Sequence, residues 1–403
     1  MGARSSVPLR DKDIVKGEGK HTPVPDDTEP FQGKSLDCIV VSIPVRMKRH
    51  FVSNFIAGQP AVTSDVDTYY PTLARYQEQG YDLHTFYHIQ GLVKTSGFRE
   101  ATVPYVAVFS KLLDVGLTKD VSRLFVEKCT MHVQFTSRVK RIFSPARVLN
   151  TEELLNKITL HSSMGARLLC IETNGQVVTQ GMSGKIIGLD AIFEIPNEPT
   201  PSKYVYQMIN VPIEISGKVG YPPKVTMRCD WLGTMTAHLN QGWKLVEIFL
   251  DQIEHQSGNF NVTATANSVW FFEKETSKLQ DTTPVYEGTV IEYFHEVSTG
   301  FGGATLKTDW SPFIIEMGQR GWELSCIQQS PELRRIGFGK FQIKFIMFFQ
   351  RIISSSFDKS IAPPPYPGPS HPGSSPYSEP SSHPGPSSFE NQPSLFDEKK
   401  LPL

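Results

Sequence analysis

The sequence predicts an α+β fold, in which four repeated strand–helix–strand–strand units of about 80 residues pack together between disordered tails. Two observations predict it. Four glycines recur about every 80 residues, each at the same place in a pattern of apolar side chains: Gly80, Gly165, Gly242 and Gly321. The composition also becomes strongly polar at both ends of the chain. A single unit would expose one side of its sheet, so we expect neighbouring units to cover one another.

The residues before each glycine predict a helix. Large side chains stand eleven, seven and four positions ahead of each glycine, and offsets of four and three residues form one stripe of an amphipathic helix. The residues at seven positions are Leu73, Ile158, Met235 and Ile314. Because glycine adopts the left-handed conformation without strain, we expect each glycine to end its helix.

Apolar runs on both sides of each helix predict the strands. The runs before the helices are 38–43, 129–135, 204–211 and 285–293. A leucine three residues after each glycine begins the next strand, at Leu83, Leu168, Leu245 and Leu324. A further strand follows in most units, at 105–109, 269–272 and 344–349. The predicted units are 36–120, 121–200, 201–280 and 281–353.

The two ends of the chain predict disorder. Residues 1–35 are polar and charged and have no hydrophobic periodicity, and residues 354–403 are rich in Pro, Ser and Gly. Too few apolar side chains remain in either segment to offset the entropy lost on ordering.

Composition and charge exclude several functional classes. The 40 Lys and Arg residues balance the 41 Asp and Glu residues, so no overall field favours nucleic acid. The five cysteines are far apart and form no C-x-x-C pair, which indicates a reducing compartment and no zinc cluster. No apolar run approaches the ~20 residues of a membrane-spanning helix. Neither a cofactor fingerprint nor a catalytic constellation is evident, so we expect no cofactor and no enzymatic activity.

Two passages resemble a known family. They are Cys229-Asp230-Trp231-Leu232 running on to Gly242-Trp243-Lys244-Leu245, and Val290-Ile291-Glu292-Tyr293 running through Thr308-Asp309-Trp310 to Gly321-Trp322-Glu323-Leu324. With these passages and the closing Phe348-Phe349-Gln350-Arg351, the chain resembles the raftlin family as a distant member. The resemblance implies association with lipid-rich membrane domains through N-terminal acylation. It also implies a non-enzymatic role in receptor signalling or endocytic trafficking.

The N-terminus carries an acylation pattern. Met1 to Ser6 reads M-G-A-R-S-S, which fits the N-myristoylation pattern, with Gly2 as the acceptor and Ser6 at the preferred hydroxyl position. In the raftlin family a cysteine follows this glycine as a palmitate site, but here Ala3 stands in that place. One myristoyl chain binds membranes only marginally. We therefore expect reversible, peripheral attachment to the cytoplasmic face of a membrane, with the plasma membrane as a candidate.

Two basic clusters are candidate contacts with anionic lipids of the inner leaflet. The residues are Arg46, Lys48, Arg49, Arg138, Lys140 and Arg141. Each basic side chain near an anionic surface adds about 1 kcal/mol to binding. Solvated loop charges are the alternative interpretation of both clusters.

The C-terminal tail contains a PPxY motif. Pro363, Pro364, Pro365 and Tyr366 form the pattern that WW domains bind as a preformed polyproline II helix. WW domains commonly belong to HECT-type ubiquitin ligases, which makes these ligases candidate partners. The alternative is a chance sequence in a Pro-rich spacer.

Three functional hypotheses follow from the sequence. The leading one is a membrane-associated adaptor or scaffold, whose functional residues lie at Gly2, Ser6 and 363–366. The second is a ligand-binding module in which sheets of adjacent units enclose a lipid without catalysis. The third is an enzyme whose clustered titratable groups the spacing does not reveal.

Overall fold

A computed structural model of the chain describes residues 20–24, 33–50, 61–89, 94–96, 100–113, 122–135, 146–149, 151–180, 184–198, 200–218, 224–250, 262–300, 303–306 and 308–353. Within these ranges the chain forms 18 strands. The four α-helices in the same ranges are only 9 or 13 residues long. The described chain is therefore built mainly from β-strands.

The strands are arranged in four antiparallel sheets. β1 (Lys20–His21) is the first strand and joins the fourth sheet. Sheet 1 contains β2 (Leu36–His50), β3 (Ala61–Ser64), β4 (Asp82–His88), β5 (Lys94–Ser96) and β6 (Glu100–Leu112), with α1 (Val66–Glu78) between β3 and β4. Sheet 2 contains β7 (Ser122–Phe135), β8 (Ala146–Leu149), β9 (Arg167–Gln180) and β10 (Gly184–Pro196), with α2 (Thr151–Ser163) between β8 and β9.

The remaining two sheets follow in the chain. Sheet 3 contains β11 (Tyr204–Lys218), β12 (Lys224–Arg228), β13 (Lys244–Leu250) and β14 (Val262–Glu275), with α3 (Trp231–Leu239) between β12 and β13. A single 3-10 turn (Thr276–Lys278) leads on to sheet 4. Sheet 4 contains β15 (Tyr286–Gly300), β16 (Gly303–Leu306), β17 (Glu323–Gly337) and β18 (Lys340–Ile352), with α4 (Ser311–Gln319) between β16 and β17.

In each sheet, the strand that follows the helix lies at an edge. The orders are β3-β2-β6-β4, β8-β7-β10-β9, β12-β11-β14-β13 and β1-β15-β18-β17, with β5 pairing β6 and β16 pairing β15. The strand that follows the helix is therefore always the edge strand on one side of its sheet. We call these four strands, β4, β9, β13 and β17, the inner strands.

The predicted fold class, α+β in strand–helix–strand–strand units, is wrong. The structure is mostly β, because the strands extend well beyond the apolar runs that predicted them: residues 38–43 lie in a strand that spans Leu36–His50. Alternating burial continues along such strands after the continuous apolar run ends. A short strand also pairs with the first long strand before each helix, and these strands of 4 or 5 residues are too short for sequence periodicity to reveal.

The N-terminal segment also differs from expectation. A disordered tail was predicted up to residue 35, whereas β1 pairs Lys20 with Phe294 and His21 with Tyr293 in sheet 4. The pairing is reinforced by Thr22, whose backbone N–H donates to the Glu292 carbonyl at 2.9 Å and whose Oγ1 accepts from the Glu292 N–H at 3.0 Å. Residues 1–19 and 354–403 lie outside the described part of the chain.

The four glycines have the predicted left-handed backbone. Their φ angles are 82° at Gly80, 87° at Gly165, 77° at Gly242 and 76° at Gly321. At Gly165 the conformation is combined with a close approach, because an added Cβ would lie 2.5 Å from Thr200 Oγ1. Only glycine fits that position without strain.

Contacts between the sheets run in a closed cycle. α1 packs on β7, α2 on β11, α3 on β15 and α4 on β2, so each helix contacts the first long strand of the next sheet and the last helix returns to sheet 1. The return contact is close, because an added Cβ on Gly318 of α4 would lie 2.3 Å from Cys38 Sγ. The inner strands contact one another in the same cyclic order, β4 with β9, β9 with β13, β13 with β17 and β17 with β4. This meeting of four edge strands positions the candidate site.

Candidate functional site: a charged cleft where four strands meet

Each inner strand carries a charged residue two positions after its glycine. These residues are Asp82, Arg167, Lys244 and Glu323, and all four line one cleft. Because the inner strands contact one another in a cycle, equivalent positions on them converge at one place. The cleft therefore combines two acidic and two basic side chains from four different sheets.

A β-bulge shapes each inner strand beside the cleft. The pairing register shifts at the same place in all four sheets, leaving one residue of each inner strand without a partner. These bulged residues are His84, Leu169, Val246 and Ser325, which also line the cleft. A bulge bends its strand and redirects side chains. It explains how consecutive residues such as Leu83 and His84 can both face the centre.

Glu323 is the hub of the charge network. Its Oε1 lies 2.7 Å from Lys244 Nζ of sheet 3 and 3.2 Å from His84 Nδ1 of sheet 1. Burial alone would raise the pKa of Glu323, but Lys244 and His84 outweigh it and hold that pKa well below its usual range. Burial likewise opposes the charge on Lys244, yet Glu323 raises the pKa of Lys244 above its ordinary value. Both groups are therefore ionised at neutral pH and link three sheets.

A second ion pair joins sheets 2 and 3. Arg167 Nε lies 3.2 Å from both carboxylate oxygens of Glu273, which is 2% exposed. Burial opposes the charge on Arg167, but Glu273 outweighs it and raises the pKa of the guanidinium. The guanidinium also stacks on the Tyr204 ring at 4.7 Å. Planar guanidinium groups suit this combination of paired hydrogen bonds and ring stacking.

Ser110, His84 and Glu323 stand in the order of a serine-hydrolase triad. Ser110 Oγ lies 2.6 Å from His84 Nε2, and His84 Nδ1 faces Glu323. Two features oppose catalysis. Glu323 is shared with Lys244. Ser110 lies on β6 between β2 and β4, so neighbouring strands engage the N–H groups that an oxyanion would need. The arrangement is better explained as a hydrogen-bonded link between sheets 1 and 4.

The cleft opens outward into a cavity of about 290 Å³. Its lining adds Lys34, Lys111 and Arg351 to the central charges. This volume is at the low end of small-molecule sites, which range from about 300 to 1,000 Å³. The enclosed lipid of the second hypothesis stays a prediction, because apolar side chains such as Leu36, Leu112 and Ile352 line this cavity together with the charged ones. Among the described residues, no group of three or more His, Cys, Asp or Glu side chains could hold a metal ion.

Two further carboxyl groups lie between the inner strands, with Glu247 buried and Glu172 partly buried. Glu172 of β9 accepts the His88 N–H of β4 at 3.0 Å, and burial raises the pKa of Glu172 to about 7. Glu247 of β13 accepts the Ile171 N–H of β9 at 3.4 Å, and burial raises its pKa well above the usual range. Both side chains satisfy backbone groups at the open edges of neighbouring sheets. Their role is therefore to seal the contacts between sheets.

The structure describes only two of the basic side chains that are predicted to contact anionic lipids, Arg46 and Lys48. Arg46 and Lys48 are exposed on β2, but Lys48 Nζ already pairs with Asp65 at 2.7 Å, which offsets its charge. The Arg49 side chain and residues Arg138, Lys140 and Arg141 lie outside the described part of the chain. The contacts with anionic lipid at these positions stay a prediction.

The predicted modification and docking motifs lie in undescribed segments. Gly2, Ser6 and residues 363–366 lie outside the described ranges, so the structure does not place them relative to the cleft. No helix in the described ranges has the length and apolar character needed to cross a membrane.

The central cleft was not predicted from the sequence. A signal was present, because the position two residues after each glycine is charged in all four segments. Alternating charge and apolar residues at a strand start, however, are usual for a half-exposed strand. Only the meeting of the four edge strands makes these residues neighbours.

The fold and cleft together define a class of protein: an antiparallel-β scaffold whose sheets are joined by buried ion pairs. The raftlin family model matches residues 152–362, which is more than half of the chain, so the chain belongs to the raftlin family.

Individual relatives agree with this assignment. The chain is 28% identical to Raftlin of Gallus gallus over 162 residues, which cover 40% of this chain and 25% of that protein. It is 26% identical to Raftlin of Homo sapiens over 179 residues, covering 44% and 28% of the two chains. It is 28% identical to Raftlin-2 of Homo sapiens over 133 residues, covering 31% and 24%. The matched segment thus spans about a quarter of each relative. No solved structure matches the chain.

Proposed function

We propose that this chain is a non-enzymatic, membrane-associated adaptor, tethered to the cytoplasmic face of a membrane by a myristoyl group on Gly2. The observation that carries the proposal is the M-G-x-x-x-S pattern at Gly2 and Ser6 in a chain of the raftlin family. The names of the relatives point to membrane rafts. The role would be in signalling or endocytic trafficking, where adaptors bring other proteins to a membrane.

The strand β1 supports the proposal mechanically. It ties Lys20 and His21 to sheet 4, so an acyl group on Gly2 would be joined to that sheet by 18 residues of chain. Such a segment spans at most about 60 Å when fully extended. The tether would therefore hold sheet 4 close to the bilayer surface.

Replacing Gly2 by alanine should abolish acylation and release the protein from membranes, because the myristoyl acceptor is the N-terminal glycine amine. Cells expressing each form would be labelled with an alkyne-myristate and separated into membrane and cytosol. We expect label and membrane association for the wild type and for an Ala3→Ser control, which keeps the pattern. Equal membrane fractions for the wild type and Gly2→Ala would contradict the acyl tether.

The PPxY motif supplies the adaptor's partner in this proposal. Pro363 to Tyr366 would dock on the aromatic groove of a WW domain, and a HECT-type ubiquitin ligase is the proposed class of owner. Recruitment of such a ligase to a membrane would link this chain to ubiquitin-dependent trafficking or turnover.

Replacing Tyr366 by alanine should reduce WW-domain binding at least tenfold, since the tyrosine is the side chain that the PPxY pattern adds to a proline-rich segment. The affinity of the full chain for a panel of isolated WW domains would be measured by biolayer interferometry. Tyr377→Ala is the matched control, because Tyr377 lies in the same tail but follows a single proline. Unchanged affinity in the Tyr366→Ala protein would remove WW domains from the proposal.

A further inference from the structure

The hairpin tip between β17 and β18, residues 333–340, exposes apolar side chains to solvent. Phe338 is 95% exposed, and Leu333 and Ile336 are 42% and 40% exposed. Phe338 therefore contributes almost nothing to the core of the protein. A fully exposed aromatic ring at the end of a rigid hairpin indicates a surface that is covered by something else.

The charges around this hairpin tip are basic. Arg334, Arg335 and Lys340 are exposed, and none of them forms an ion pair with a carboxylate in the described part of the chain. The adjacent Glu332 faces inward instead, where it pairs with Lys344 Nζ at 2.9 Å. The hairpin tip thus presents three cations beside Phe338, which complements an anionic surface.

The shape of the hairpin tip is set by its backbone. Gly339 has φ 63°, which turns the chain between the two strands, and Arg335 Nε donates to the Gly337 carbonyl at 3.2 Å. β17 and β18 are long and pair below the turn as far as Gly337 and Lys340. Phe338 therefore lies in a turn that the paired strands close, although the pairing of β17 shifts register between Arg335 and Gly337.

The N-terminal segment enters sheet 4 from the same end. β15 runs toward the hairpin tip, where Ser298 pairs with Lys340. β1 is antiparallel to β15, and its first residue, Lys20, pairs with Phe294, nearer the hairpin tip than the partner of His21. The N-terminal end of β1 therefore lies toward the hairpin tip.

We infer that the hairpin tip inserts Phe338 into an anionic membrane surface, while Arg334, Arg335 and Lys340 bind lipid headgroups. Aromatic rings favour the interfacial zone of a bilayer, and basic side chains extend along it toward the headgroups. This inference rests on the membrane attachment proposed above and names its second contact. Such a contact is needed because one myristoyl chain binds only marginally and Ala3 offers no palmitate site.

The test measures binding of the full chain to sedimented vesicles of phosphatidylcholine, alone or with 30% phosphatidylserine. The protein is prepared with and without coexpressed N-myristoyltransferase. We expect Phe338→Ser to lower the partition coefficient on the mixed vesicles about tenfold in both preparations. Arg334→Gln with Lys340→Gln should lower it about 30-fold at low salt, and should have little effect on neutral vesicles.

Matched controls separate the hairpin tip from general surface effects. Leu160 is 59% exposed on α2, so Leu160→Ser removes a comparable exposed apolar group elsewhere. Arg123→Gln with Lys128→Gln removes two exposed charges from β7. Both controls should bind as the wild type does. Thermal unfolding should be unchanged in every variant, because none of these side chains is buried.

A direct readout comes from Phe338→Trp. Its fluorescence, after subtraction of the five native tryptophans, should shift to the blue and be quenched by brominated lipids in mixed vesicles. A matched Leu160→Trp protein should show neither change. An unquenched tryptophan at position 338 would overturn the insertion.

The outcomes distinguish this inference from the acyl tether. If Gly2→Ala releases the protein but the hairpin tip variants bind normally, the tether stands and the insertion fails. If Phe338→Ser weakens the unacylated protein while Gly2→Ala has no effect in cells, the insertion stands and the tether fails. Wild-type protein that binds no vesicle in either preparation overturns both. Hairpin tip variants that keep vesicle binding but lose a protein partner would make the tip a protein-docking surface, contrary to the inference.

Discussion

Replacing Glu323 by alanine should lower the free energy of unfolding by about 3 kcal/mol, which is the scale for breaking a buried ion pair on one side. The variant leaves Lys244 with its side chain only 15% exposed and without its nearest carboxylate. His84 loses its carboxylate partner at the same time and keeps only Ser110. Urea unfolding of both proteins at pH 7, followed by tryptophan fluorescence, would measure the difference.

The matched control is an exposed pair on the same protein. Glu275 and Lys278 lie 3.0 Å apart with side chains 37% and 52% exposed, so Glu275→Ala should cost at most about 0.5 kcal/mol. Glu323→Leu combined with Lys244→Met should recover much of the lost stability, because two apolar groups need no charge compensation. A loss below about 1 kcal/mol for Glu323→Ala would mean that water solvates Lys244 and that the cleft does not hold the sheets together.

The helix ends could be predicted from the sequence because they depend on local chemistry. A glycine with positive φ follows each apolar stripe, and both features lie within one stretch of chain. Residues at the predicted offsets, such as Leu73 and Ile158, are fully buried. Local patterns of this kind predict a helix or strand without knowledge of its neighbours.

The fold class could not be predicted in the same way, because it depends on pairing. The strands β3, β8, β12 and β16 hold 4 or 5 residues each and are strands only through their partners. The helices carry the stronger local pattern, although the strands make up most of the fold. The length of the paired strands, up to 15 residues, is what makes the structure mostly β.

The burial of acidic groups between the inner strands could not be predicted either, because it also depends on contacts between distant parts of the chain. Glu172 and Glu247 stand among apolar residues in strands, where an alternating pattern predicts a solvent-facing side chain. Glu247 is buried and Glu172 is partly buried because a second sheet covers that face and offers backbone N–H groups to the carboxyl. Phe338 was missed for the opposite reason, since an aromatic residue near a strand end is ordinarily assigned to the core.

Replacing Glu172 by glutamine should change how stability depends on pH. Burial raises the pKa of Glu172 to about 7 in the folded protein, against about 4.5 for an unperturbed glutamate. The folded state therefore keeps a proton that the unfolded state releases between these values. Stability falls as pH rises through that window, by about 3 kcal/mol in total and about 2 kcal/mol between pH 5.5 and pH 8.5.

The expected result is that the stability difference between Glu172→Gln and the wild type changes with pH. The free energy of unfolding of Glu172→Gln, relative to that of the wild type, should be about 2 kcal/mol higher at pH 8.5 than at pH 5.5, because glutamine does not titrate. The side-chain NH2 of glutamine must also face a backbone N–H, from His88 or Thr173, that donates to Glu172 in the wild type. This mismatch lowers the free energy of unfolding equally at both pH values. Urea unfolding at the two pH values separates the constant effect from the titration.

The measured difference includes the coupling of Glu172 to its neighbours, because the charge of Asp190 raises the pKa of Glu172 and the charge of Glu172 raises the pKa of Glu247. His88 lies beside Glu172 in both proteins, and burial lowers its pKa to about 4. Glu152→Gln on the exposed face of α2 is the control for the same substitution at the surface. Equal effects of Glu172→Gln at pH 5.5 and pH 8.5 would mean that the three N–H and O–H donors around Glu172 keep it ionised throughout. In that case the contact between sheets 1 and 2 would be held by a buried charge rather than by a neutral acid.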